Sequence, residues 1–137
     1  MITYNLKLYL LTLVAFFTVD MVWLGLIARG FYRKYLGFLM SPRPNWAAAF
    51  IFYLIFVAGL LIFCVLPGLE ADSLSKALLF GALYGLFTYA TYDLTNLATL
   101  KDWPLLITVV DILWGIALST TTTAAGFIIG KWLNGIL

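Results

Sequence analysis

Four long runs of apolar residues, separated by short polar stretches, make up most of the chain. The runs cover residues 6–28, 46–66, 74–99 and 104–129. A helix needs about 20 apolar residues to cross the hydrocarbon core of a bilayer, and each run has that length. The pattern predicts an all-α, polytopic membrane protein. Its four transmembrane helices form one bundle, and this single integral membrane domain takes up residues 1–137.

The polar connections predict how the four helices are joined. In residues 29–45, between the first two runs, basic residues alternate with aromatic ones, which is typical of a segment lying in the headgroup region. Asn45 is a candidate N-cap for the second helix, which we expect to stop at Pro67-Gly68. The third connection, residues 100–102, is so short that the third and fourth helices must be antiparallel neighbours.

The composition supports a membrane protein and excludes several classes of site. Hydrophobic residues make up 64% of the 137 positions and charged residues only 10%, with a mean hydropathy of +1.05. The lipid bilayer is therefore the main expected partner. A net charge of +2, without a basic block, gives no nucleic-acid interface. With no histidine and a single cysteine, Cys64, no Cys/His metal centre is expected, and we expect no cofactor.

Basic residues predict the orientation of the bundle, because they favour the cytoplasmic side. Five of them flank the first and third connections, and three lie on the opposite side. We therefore expect both termini outside the cytoplasm and residues 29–45 inside it.

Three of the apolar runs each contain an aspartate. Asp20 lies eight residues before Ala28, Asp93 six before Thr99, and Asp111 seven after Pro104. At about 1.5 Å per residue, these offsets place all three acids about 9–12 Å inside the same membrane boundary. An acid within the hydrocarbon region is costly and usually functional. The sequence therefore predicts that the three side chains meet in one pocket.

Polar and small residues share one face of the third and of the fourth helix. On the third helix that face spans an arc of about 140°, and it carries Gly81, Gly85, Thr88, Tyr89, Tyr92, Asp93 and Asn96. On the fourth helix the arc is about 80°, and it carries Thr108, Asp111, Gly115, Ser119 and Thr122, with Gly126 one turn farther. The glycines Gly81, Gly85, Gly115 and Gly126 predict close helix packing. A homodimer through the Gly81/Gly85 face or the Gly126/Gly130 face is also expected.

Two tryptophans accompany the acids. Trp23 and Trp114 each follow an aspartate by three residues, in the related strings TVDMVWLG and VVDILWG. Because the first and fourth helices run in opposite directions, such an echo is what an inverted repeat would leave. Whether or not the two strings come from an inverted repeat, each indole N–H is placed to donate to a neighbouring carboxylate.

The run YDLTNLAT, residues 92–99, together with Asp111-x-x-Trp114-Gly115 and Asp20-x-x-Trp23, resembles a family of small four-helix bacterial inner-membrane proteins of unknown function. The resemblance covers essentially the whole chain. It implies the four-helix fold, a bacterial inner membrane and a family signature formed by Asp20, Asp93, Asn96 and Asp111. It implies no reaction.

The leading functional interpretation is a proton-coupled transporter or permease for a small cationic or polar solute. Buried acids can exchange a proton for such a solute, and aromatic rings can stack on an organic cation. The expected proton- or substrate-binding residues are Asp20, Asp93, Asp111, Asn96, Tyr89, Tyr92, Trp23 and Trp114.

Three other interpretations remain. The chain could be a membrane-embedded enzyme or accessory factor that modifies a lipid or isoprenoid, with three carboxylates holding Mg²⁺ against a phosphorylated head group. Aspartates alone make a poor acid/base set, so the residues favour a transporter over an enzyme. The acids could instead be structural pins that fix helix register, or the chain could be a structural partner subunit. In the transporter and enzyme interpretations, the ligand is a small molecule or a lipid.

Overall fold

A computed structural model of the chain describes residues 1–135, and every regular element within that range is helical. The α-helices are α1 (Ile2–Val22), α2 (Arg29–Leu36), α3 (Trp46–Leu60), α4 (Leu66–Glu70), α5 (Leu74–Thr99) and α6 (Leu105–Leu133). The π-helical segment Trp23–Ile27 continues α1 towards α2. A second π-helical segment, Leu61–Val65, connects α3 to α4. The all-α prediction is confirmed.

Within residues 1–135, three continuous helices are long and apolar enough to cross a membrane. They are Ile2–Ile27, Trp46–Glu70 and Leu105–Leu133. The fourth long helix, α5, has 26 residues, a length of about 39 Å, but it carries more polar side chains than the other three. The chain is a membrane protein with three such helices, and the fourth span stays a prediction.

The most extensive helix contact is between α5 and α6, and α1 also packs on α6. The predicted pairing of the third and fourth long helices is therefore confirmed. Glycines bring the helices together, since a methyl group on Gly85 would collide with the backbone of Gly115. A methyl group on Gly81 would lie 2.6 Å from Thr123 Oγ1.

The glycine faces predicted for a dimer are filled within one chain. Gly81 and Gly85 face α6, while Gly126 packs against Thr12 and Val65, and Gly130 packs against Leu69 and Tyr4. A second copy cannot approach through these faces, so the proposed dimer contact is wrong. The homodimer itself stays a prediction and would need another surface.

The helix bounds differ from the predicted ones at several ends. The first helix begins at Ile2 rather than residue 6, and the last continues to Leu133 rather than ending at residue 129. At α3 the predicted cap is confirmed, because the Asn45 side chain accepts a hydrogen bond of 3.1 Å from the N–H of Ala48.

The prediction that Pro67-Gly68 ends the second long helix is wrong, because the helix continues through α4 to Glu70. The π-helical segment before Pro67 explains this. There the N–H of Leu66 bonds to the carbonyl of Leu61, five residues back. A π turn shifts the hydrogen-bond register immediately before the proline, which has no N–H to donate.

A hydrophobic core forms where α1, α3 and α6 meet. Phe16, Val57, Leu60 and Leu118 are buried there, and the ring of Phe16 packs edge-on against Tyr53 with centroids 5.5 Å apart. Phe16 lies one turn before Asp20 on α1. This packing therefore fixes the Tyr53 ring at the level of the first acid.

Candidate functional site

Asp93 and Asp111 form a pair across the α5–α6 contact. The Asp93 side chain is fully buried, whereas Asp111 is partly exposed. The two carboxyl groups lie close enough for their charges to interact. Among residues 1–135, neither oxygen of Asp93 has a hydrogen-bond donor as its partner. Two ionised carboxylates only accept hydrogen bonds, so this contact is bonded only when one of the two carries a proton.

Asp20 lies beside this pair but has its own partner. The Tyr53 hydroxyl donates a hydrogen bond of 3.0 Å to Asp20 Oδ2, and the acid is buried. Asp20 is near enough to Asp111 for their charges to interact. The three predicted acids therefore share one region, as a pair and a separately bonded neighbour rather than as one cluster.

This arrangement bears on the Mg²⁺ site that the alternative interpretation as an enzyme would need. Within residues 1–135, no group of three acidic, cysteine or histidine side chains is close enough to hold a metal ion. The cluster of three carboxylates that an enzyme would need to hold Mg²⁺ against a phosphorylated head group is therefore not present in the described part of the chain.

A short hydrogen-bond chain ties the amphipathic helix α2 to the acid pair. Trp23 Nε1 donates to the Tyr32 hydroxyl at 3.2 Å, and that hydroxyl donates to Asp111 Oδ1 at 2.5 Å. Burial and the adjacent carboxyl of Asp111 raise the pKa of Tyr32. The hydroxyl therefore keeps its proton at neutral pH and remains a donor to Asp111.

The two tryptophans predicted for the site stack on each other. The rings of Trp23 and Trp114 are nearly parallel, at 8°, with centroids 4.4 Å apart. Trp23 begins the first π-helical segment, and such segments are frequent at functional sites. The stack joins the end of the first long helix to α6.

The predicted indole-to-carboxylate bonds are not the ones observed. Trp23 donates to a tyrosine, because α2 inserts Tyr32 between the indole and Asp111. Trp114 Nε1 lies beside Asp20, and it has no hydrogen bond of normal geometry within the described residues.

An apolar groove of about 780 Å³ opens beside the acid pair, between α3 and α5. Aromatic side chains form most of its wall, and Asp111 lies at its polar end. The lining includes Phe52, Phe56, Phe87, Tyr89, Tyr92 and Asp111. Phe52 and Phe56, which lie four residues apart on α3, therefore face this groove.

The remaining predicted residues lie on α5 around the groove. Tyr89 packs its ring against Gly115 and lies edge-on to Phe56, with centroids 6.1 Å apart. Tyr92 is exposed and lies edge-on to Trp103, and Asn96 is next to Tyr92 at the end of the helix. Tyr89 and Tyr92 line the groove beside Asp111, and Asn96 is not among its lining residues.

Two tyrosines of the site were missed from the sequence. Tyr32 binds Asp111, and Tyr53 binds Asp20. Tyr53 is the one residue between Trp46 and Leu66 whose side chain carries an oxygen or nitrogen atom, which marks it as unusual. Tyr32 had no comparable signal in the sequence, and only the structure shows that it is partly buried on α2 while Arg33 and Lys34 are exposed.

Comparison with curated proteins and with solved structures finds no match. A family model does match, over residues 5–128, and its description is "Predicted membrane protein (DUF2177)". This match covers most of the chain, including Asp20, Asp93 and Asp111 and both stacked tryptophans. The chain belongs to this family of membrane proteins of unknown function.

Proposed function

We propose that the protein is a small proton-coupled transporter or permease for a cationic solute, in which Asp93 and Asp111 exchange a shared proton for that solute. The observation that carries the proposal is the pairing of a fully buried Asp93 with Asp111 in the absence of any other donor to Asp93 in residues 1–135.

The energetics of burial support a shared proton. An ionised carboxylate without a partner is very costly in an apolar interior, and a second ionised carboxylate beside it adds repulsion. One proton between Asp93 and Asp111 removes both costs. When that proton leaves, the pair needs a cation, and a bound cation in turn displaces the proton.

Exposure gives the two acids different roles. Asp111 is partly exposed and lines the groove, so it is the carboxylate that a solute contacts first. Asp93 is enclosed behind it. The solute and the proton then compete for one pair of carboxyl groups, which is the physical basis of coupled exchange.

A purely structural role fits Asp20 better than Asp93. Asp20 accepts a bond from Tyr53 and so resembles a pin between α1 and α3. Asp93 lacks such a partner among residues 1–135. An acid that served only to fix helix register would be expected to have a donor, because an unmade bond to a buried polar group costs about 1–3 kcal/mol.

The surrounding topology belongs to the same proposal. We place α5 across the membrane as a fourth span, because its 26 residues are long enough and it packs along α6. We also propose that the acid pair lies near the cytoplasmic face of a bacterial inner membrane, with both termini outside the cytoplasm, which the distribution of basic residues supports.

Infrared spectroscopy of the purified protein tests the shared proton without knowledge of the solute. At neutral pH, the wild type should show the C=O stretch of a protonated carboxylic acid, and Asp93→Asn should lose it. The matched control is Asp72→Asn, which removes a 74% exposed carboxylate and should leave the band unchanged. Absence of the band from the wild type, or its persistence in Asp93→Asn, would contradict the proposal.

A flux assay then tests the coupling. Proteoliposomes carrying an inward proton gradient should lose it when a cation to be exported is placed inside, with methylammonium and tetraphenylphosphonium as the two probes. Asp111→Asn should abolish the response and Asp72→Asn should retain it. A protein with a protonated pair but no proton flux with either probe would not be a transporter of these cations.

A further inference from the structure

We infer that the solute is a hydrophobic organic cation that enters sideways from the lipid, through the groove between α3 and α5, and places its cationic group at Asp111. This inference rests on the proposed function and names its substrate class. It concerns the shape and chemistry of the groove, which the acid pair alone does not determine.

The groove exists because α3 and α5 approach each other at one end only. The Tyr84 hydroxyl donates to the carbonyl of Phe56 at 3.0 Å, and the Tyr84 ring fills the space beside Gly59. Beyond this contact, towards Trp46 and Thr99, α5 packs on α6 and not along α3. The helices therefore enclose a wedge that faces the surrounding lipid.

The wall of the groove is apolar and aromatic. Ile55 and Phe87 form part of it, and their side chains are 68% and 62% exposed, so the wedge is open at the protein surface. In a bilayer that surface meets acyl chains rather than water. A ligand that reaches the groove by this path must itself partition into lipid.

Three of the five hydroxyl groups along the wall are already bonded within the protein. The hydroxyls of Thr88 and Thr91 donate to carbonyls of their own helix at 2.7 and 2.5 Å, and that of Tyr84 donates to Phe56. A sugar or peptide, which carries many donors and acceptors, would lose its hydration without new partners. Asp111 is the one carboxylate among the residues that line the groove, so the groove suits a ligand with a single cationic group.

Size and ring chemistry agree with this ligand class. A volume of about 780 Å³ lies within the range of sites for drug-sized molecules. Phe52, Phe56, Tyr89 and Tyr92 place several ring faces and edges around that volume. A desolvated organic cation is stabilised by aromatic faces as well as by the carboxylate.

Binding of radiolabelled tetraphenylphosphonium to the protein in nanodiscs tests the inference. Ile55→Trp fills the groove from its lipid side, and Asp111→Asn removes its charge. Each should weaken binding by about tenfold or more. The matched control is Ile62→Trp on the same long helix, at a side chain 56% exposed to lipid and outside the groove. It should bind within about twofold of the wild type.

Competition separates a cation site from an apolar surface. Decyltrimethylammonium should displace the probe, and decanol, which has the same chain without the charge, should not. If decanol competes equally well, the groove only holds acyl chains and the cation assignment is overturned.

The outcomes also distinguish this inference from the function on which it rests. If methylammonium drives proton flux and Ile55→Trp leaves tetraphenylphosphonium binding unchanged, the protein is a coupled transporter with another entrance. If the infrared band of the acid pair is missing, the proposed function fails, whatever the groove binds.

Discussion

The hydroxyl of Tyr32 donates a 2.5 Å hydrogen bond to Asp111 Oδ1, which joins the amphipathic helix α2 to a carboxyl group of α6. Trp23 supports the same hydroxyl from the first π-helical segment. The bond fixes the position of α2 over the partly exposed acid. A change in the charge of Asp111 therefore alters the strength with which α2 is held.

Removing this hydroxyl should loosen α2. In Tyr32→Phe, the loss of a hydrogen bond to a carboxyl group should cost about 1.5–3 kcal/mol. Amide hydrogen exchange in residues 29–36 should become faster. Tyr35→Phe is the control, because it removes a hydroxyl from the same helix and leaves the bond to Asp111 in place. Equal exchange in the two variants would show that the Tyr32 bond does not hold the helix.

The Tyr53–Asp20 bond gives a second prediction, on stability. In Tyr53→Phe, a buried acid oxygen loses its donor, which should cost about 1–3 kcal/mol. Asp20→Asn keeps an acceptor and should cost less. Thermal unfolding in detergent measures both, and the double variant should be less destabilised than the sum of the two single changes. Additive effects would mean that the two side chains do not interact.

The acids were predictable from the sequence because each one interrupts an apolar run. The partnership of Asp93 with Asp111 also follows from the chain, since a short turn makes α5 and α6 antiparallel neighbours and places the two residues at one depth. Local pattern and chain connectivity were sufficient in both cases.

The tyrosine partners were not predictable in the same way. Tyr53 reaches Asp20 across 33 positions, and Tyr32 reaches Asp111 across 79. Those contacts depend on how α2 and α3 pack, which no local periodicity encodes. The continuation of a helix through Pro67 was also missed, because the π turn that accommodates the proline is stabilised by tertiary packing of Leu61, Cys64 and Val65.

Divalent cations should leave the stability of the protein unchanged. Within residues 1–135 no three acidic side chains converge to hold a metal ion, and Asp20 is already bonded to Tyr53. Addition of millimolar Mg²⁺ should therefore give the same melting temperature as KCl of equal ionic strength. If Mg²⁺ alone raised the melting temperature and Asp111→Asn removed the effect, an enzyme with a phosphorylated lipid substrate would become the better interpretation.

The contact between Gly85 and Gly115 sets the distance between α5 and α6, and therefore between the two paired acids. In Gly85→Ala the added methyl group meets the backbone of Gly115, which cannot rotate away as a side chain would. The helices must separate there, at an expected cost of about 1–3 kcal/mol.

The separation should also move Asp93 away from Asp111, two turns along α5 from the substitution. We therefore expect Gly85→Ala to shift the carboxylic-acid infrared band as well as to lower the melting temperature. Gly25→Ala is the matched control, since a methyl group there has nothing within 4 Å. A destabilised Gly85→Ala protein with an unchanged band would show that the acid pair is held by contacts nearer to it than the glycine crossing.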